Sequence, residues 1–140
     1  MKTLTRLVIC LGAFLLFALF GVYKSFAAAD PGLTRTHSGG GVTVKVTYLN
    51  PQDTDDVRFQ VVLDTHSVDL DSYDLKNLSV LRDDAGQSYQ ATKVENKGSG
   101  HHREITLIFP KLSAGTKQLE LVIQDIAKVK ERAFRWDLSQ

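Results

Sequence analysis

Four histidines and no cysteine follow residue 29: His37, His66, His101 and His102. Imidazole nitrogen suits copper, zinc and nickel, and copper is at home outside the cytoplasm, where thiols are scarce. His66 stands at the end of one alternating apolar stretch and His101-His102 at the start of a later one. In an antiparallel sandwich the loops gather at two ends, so these three side chains can meet. Asp64 or Asp69 adds an oxygen ligand or orients an imidazole through its second nitrogen. The candidate set for a copper or zinc ion is therefore His66, His101, His102 and Asp64. Against it, adjacent residues of a strand point to opposite faces, and a histidine pair beside Gly98-Ser99-Gly100 also reads as solvent-facing turn. No spacing matches a zinc ribbon or a His-Glu-x-x-His helix. The expected cofactor is none, with copper or zinc as the alternative.

Carboxylates form the second constellation. Asp69, Asp71 and Asp74 lie within six residues of one another. The stretch lacks the glycine and terminal glutamate of a calcium-binding EF-hand loop, and aspartates populate ordinary turns for local hydrogen-bonding reasons. Asp64, His66 and Ser67 supply the residue types of a hydrolytic triad, but sequence neighbours seldom converge in space and no Gly-x-Ser-x-Gly elbow is present. The expectation is a non-enzyme. Asp69, Asp71, Tyr73 and Asp74 instead mark a candidate partner-binding surface, with solvated loop carboxylates as the plainer reading.

The elements that must position these residues are strands. Val42, Val44, Val46 and Tyr48 alternate with polar residues, as do Val57, Phe59, Val61 and Leu63, the period of a half-buried strand. Further strands are predicted at 78–81, 89–94, 105–109, 119–123 and 133–138. Asp83 to Gly86 makes a tight turn, Lys97 to Gly100 a flexible one, and Pro110 a strand end. Val68, Leu70, Tyr73 and Leu75 anchor an otherwise polar stretch. Residues 127–132 have room for a helical turn. Phe134, Trp136 and Leu138 share a face, with Trp136 read as a core aromatic. Seven strands with closely spaced turn signals predict an all-β antiparallel sandwich of immunoglobulin type, a small barrel being the alternative.

The first 29 residues read differently. Leu7 to Tyr23 is an uncharged apolar run of 17 residues after Lys2 and Arg6, followed by Lys24 and Ala27-Ala28-Ala29. These are the parts of an export signal. As a helix the run spans roughly 26 Å, long for a signal core and short for a membrane span. Cleavage after the alanines and retention as an anchor both deliver residue 30 onward to the outside, because the basic residues hold the N-terminus inside. Cys10 is too early in the run for a lipid anchor. The domains are thus 1–29, signal peptide or signal anchor; 30–41, a flexible linker built on Asp30-Pro31-Gly32 and Gly39-Gly40-Gly41; and 42–140, the sandwich. Three of the 17 basic side chains belong to the export segment, leaving 14 against 16 acidic, a formal −2. No basic face for nucleic acid is expected. Lys128, Lys130, Arg132 and Arg135 read as solvated loop and edge residues. With its single cysteine in the export segment, the outer domain needs packing alone for stability.

The succession Val42-Thr43-Val44-Lys45-Val46, Phe59-Gln60-Val61-Val62-Leu63, Leu81 to Tyr89, Ile105 to Pro110 and Leu119 to Ile123 resembles small exported bacterial immunoglobulin-like domains of unassigned function. The resemblance covers nearly all of residues 41–138 and implies a fold layout with no catalytic signature. The expected function is an extracytoplasmic, non-catalytic binding module or accessory to an envelope complex. Its expected partner is an envelope or membrane protein, and residues 7–23 provide membrane contact if they are uncleaved.

Overall fold

The computed structural model describes residues 31–53 and 55–138. The export segment 1–29, including Cys10, lies outside the described residues. Among those described, no helix is long and apolar enough to cross a membrane.

A short 3-10 turn, Pro31–Leu33, leads into nine strands: β1 Thr34–Gly39, β2 Val42–Tyr48, β3 Asp56–Thr65, β4 Ser79–Asp83, β5 Ser88–Gln90, β6 Lys93–Ser99, β7 His102–Pro110, β8 Gln118–Ile126 and β9 Val129–Asp137. One four-residue helix, α1 Leu75–Leu78, precedes β4. All strand pairs are antiparallel. They form a five-stranded sheet in the order β1-β2-β3-β7-β6 and a four-stranded sheet in the order β5-β4-β8-β9. The described residues are therefore all-β and sandwich-like.

The alternation in β2, β3 and β7 dictates the core. Val44, Val46, Phe59, Val61, Leu63, Ile105, Leu107 and Phe109 face inward from the first sheet with no exposed surface, and Leu81, Leu121 and Ile123 do so from the second. Each such side chain contributes about 1.5–3 kcal/mol of burial. Tyr48, Phe59 and Trp136 pack with ring centroids 4.9–6.2 Å apart, so Trp136 is a core aromatic. Leu70 in the 66–74 loop and Leu75 at the start of α1 are buried anchors, with Val68 and Tyr73 partly buried beside them.

The structure corrects four sequence expectations. Residues 34–39, read as linker, pair with β2 over the full length of β1. Gly40 and Gly41, with φ of 62° and 80°, form a two-residue hairpin turn of the kind that demands positive φ at both positions. A Cβ at Gly40 would collide with the Ala127 carbonyl oxygen. The 89–94 strand is two strands, β5 and β6, in different sheets; the chain crosses between them at the buried Ala91. Residues 97–99 belong to β6, which leaves Gly100-His101 as the turn. The 127–132 stretch is a hairpin turn running into β9, with Ala127 and Lys128 at φ of 51° and 63°.

Candidate functional site

Strand register assigns the loops to two ends. Val42 pairs with Thr65, Asp64 with His102, and Ile126 with Val129. The β1–β2, β3–α1, β6–β7 and β8–β9 connections therefore share one end, here called the tip. Pro31–Leu33, the β2–β3, β4–β5 and β7–β8 loops and Leu138 lie at the other end, the foot. All candidate site residues are at or near the tip.

Among the described residues no three His, Cys, Asp or Glu side chains come together. Nδ1 of His101 lies 3.0 Å from the Val68 carbonyl oxygen. His102 turns instead to Asp64, its cross-strand neighbour, with Nδ1 3.4 Å from Oδ1; both side chains are about 60% exposed. His66 is exposed on the loop that follows. The adjacent histidines part because His101 belongs to the turn, where it meets the 66–74 loop, whereas His102 opens β7 opposite Asp64. The set His66, His101, His102 and Asp64 is thus separated into local contacts. Asp64 meets His102 and not His66, so the triad geometry is not formed either.

The four residues of the candidate partner surface hold the tip together. Asp69 Oδ1 accepts the Asp71 N–H, and Asp71 Oδ1 accepts the Gly100 N–H at 2.8 Å. Asp74 is the N-cap of α1: its Oδ1 accepts from the Lys76 N–H and its Oδ2 from the Asn77 amide. This satisfies donors that a helix start leaves open. The Tyr73 hydroxyl accepts the Ala127 N–H at 3.0 Å, tying the 66–74 loop to the β8–β9 turn.

Two arginines, neither singled out as a site residue from sequence, complete the arrangement. Arg103 is 7% exposed. Its Nη1 donates to the carbonyls of Leu70 at 2.6 Å and Tyr73 at 2.9 Å, while Nε and Nη2 reach Asn96 Oδ1 at 3.3 Å. Arg132, read from sequence as solvated, has no exposed surface. Its Nη1 donates to Ile126 O and its Nη2 to Gly39 O, joining the β8–β9 and β1–β2 hairpins. Its Nε has no partner. Burial pushes its pKa below the usual arginine value, opposed in part by Tyr73, yet a guanidinium stays protonated. Neither arginine has a carboxylate partner, so both act as multi-pronged donors to loop carbonyls. Parity was the available signal: Arg103 shares a face with Ile105 and Leu107, and Arg132 with Phe134 and Trp136.

At the foot, three clefts of about 330, 320 and 420 Å³ surround Arg35, Trp136 and Tyr48. The Arg35 guanidinium lies 5.7 Å from the Trp136 ring centroid, a cation–π distance. Its Nε donates to the Arg135 carbonyl, and Trp136 Nε1 donates to Leu33 O. Together these bonds bridge the seam between β1 and β9. On the outer face, Glu120 is bonded to Arg135 and lies 3.6 Å from Arg82. Asp84 accepts the backbone N–H groups of Lys117 and Gln118, which hold its carboxyl below the usual carboxylate range.

No family model, curated protein or solved structure matches this chain.

Proposed function

We propose that the chain is an extracytoplasmic, non-catalytic β-sandwich module of immunoglobulin type that presents its tip loops to another protein of the envelope. The wiring supports the fold assignment. Without β1, the sheets run β2-β3-β7-β6 and β5-β4-β8-β9, which corresponds to the A-B-E-D and C′-C-F-G orders of that class. The added strand β1 extends the first sheet.

The observation that carries the functional reading is the polarity of the molecule. The chain enters at the foot, whereas the four loops at the opposite end are locked in one arrangement by Arg103, Arg132 and Tyr73. Loops held rigid before contact lose little entropy on binding. The exposed side chains His66 and Lys128, with Lys130 beside Asp125, offer the contact, and Asp69, Asp71, Tyr73 and Asp74 shape the loops that carry it. The apolar run Leu7–Tyr23 supplies the export signal and, if retained, the anchor.

Lys130→Cys in a Cys10→Ser background tests compartment and contact together. A membrane-impermeant maleimide should label the purified protein fully. In spheroplasts it should label the same position only after the partner is stripped by salt. Labelling that requires membrane permeabilisation would refute the outward orientation. Equal labelling before and after salt would refute the contact.

A further inference from the structure

We infer that the foot of the sandwich rests on the surface of a zwitterionic phospholipid bilayer, the one that holds the chain's own apolar run. This inference depends on the reading that Leu7–Tyr23 stays in the membrane. Only residues 24–30 separate that run from the 3-10 turn at Pro31. Seven residues reach at most about 25 Å fully extended. Strand β3 alone, with ten residues, gives the sandwich a length of about 33 Å from foot to tip at about 3.3 Å per residue. A domain standing on its tip would hold Pro31 farther from the bilayer than its tether allows. The foot is therefore the end that the tether keeps within about 25 Å of the membrane.

The surface chemistry of the foot fits that position. Leu49, 46% exposed, is the only exposed large hydrophobic side chain among the described residues, and it lies at the foot just beyond β2. Partly buried Leu112 and Leu138 lie at the same end. Lys111 and Lys117 are exposed on the β7–β8 loop and meet headgroup phosphate. Asp53 and Asp55, exposed on the β2–β3 loop, and Asp84 on the β4–β5 loop more than offset their charge. A foot of mixed sign with one protruding leucine suits headgroups that carry both charges, and it lacks the basic excess that anionic lipid selects.

The test uses the full chain reconstituted into phosphatidylcholine vesicles, with a nitroxide at Leu49→Cys or Lys130→Cys, each in the Cys10→Ser background. Both positions are exposed, so neither label disturbs the core. Co-flotation with vesicles first reports whether the run anchors the chain. With the chain anchored, the expected result is a several-fold lower accessibility to a water-soluble nickel complex at position 49 than at position 130, with higher accessibility to oxygen at 49. Equal, water-like accessibility at both positions in an anchored chain overturns the inference alone. A chain that fails to float overturns the anchor reading, and the inference falls with it.

Discussion

Arg103→Met removes the guanidinium that binds the 66–74 loop to the first sheet while keeping much of the side-chain volume. Two short bonds are lost, to Leu70 O at 2.6 Å and Tyr73 O at 2.9 Å. The contacts to Asn96 at 3.3 Å are long and count for little. A hydrogen bond from a charged donor contributes roughly 1.5–3 kcal/mol. The opposing effect is relief of a buried charge that has no carboxylate partner, which returns part of that sum. Arg103 keeps slight exposure at 7%, so its charge is not fully desolvated and the relief is the smaller effect. The expected net loss is about 3 kcal/mol. Against a typical domain stability of about 5–15 kcal/mol the variant stays folded, with its midpoint lowered by roughly 10 °C or more. Urea unfolding followed by Trp136 fluorescence measures the loss, because this tryptophan is buried and the only one in the chain. Hydrogen exchange should show the greatest change at the Leu70 N–H, which pairs with Gly100 O. Arg103→Lys keeps the charge without the fork and should recover less than half. A methionine variant within about 0.5 kcal/mol of the parent, with Leu70 still protected, would refute the view that arginine holds the tip.

Three further outcomes are expected. Gly40→Ala should cost more than about 1 kcal/mol, because the position has positive φ and the added Cβ meets the Ala127 carbonyl; thermal unfolding measures it, and a neutral result would mean the two hairpins separate without cost. Asp84 has a folded-state pKa below its unfolded value. Its contribution is therefore complete above the unfolded pKa near about 3.9 and disappears as pH falls through the folded value, so a plot of melting temperature against pH should be shallower on the acid limb for Asp84→Asn than for the parent. Calorimetric titration with Cu(II), Zn(II) and Ca(II) should give no one-to-one site that depends on the tip histidines. Tight binding abolished both by His66→Ala and by the double His101→Ala, His102→Ala variant would contradict the separation of these side chains.

The strands that build the core were legible because each buries one face. Val42 to Tyr48, Val57 to Leu63 and Ile105 to Phe109 carry that alternation openly. Strand β1 does not, because it is an edge strand with polar residues on both faces, and its only local signal was the Gly40-Gly41 turn. The break between β5 and β6 left only a change of parity, from Tyr89 and Ala91 to Val94, too little in six residues to show that the chain leaves one sheet for the other. The sequence located the histidines and aspartates at one end of the molecule, since loop position follows from strand order. It could not locate their side chains, which are set by bonds to distant backbone: His101 to Val68, Asp71 to Gly100, Tyr73 to Ala127. Arg103 and Arg132 were masked by their type. A charged residue on an inward position looks like an exception to the pattern until loop carbonyls are seen to receive its donors.

The central claim is that the tip, and no other surface, meets the partner. A photo-crosslinking amino acid placed in intact cells at His66, Lys128, Glu95 and Ala114 tests it most directly. Glu95 reports the free edge of β6 and Ala114 the foot, and all four positions are exposed. The account predicts one discrete protein adduct, of the same mass increment, from His66 and Lys128, none from Glu95, and none from Ala114. The same adduct from Glu95 or Ala114 with none from the two tip positions would contradict it.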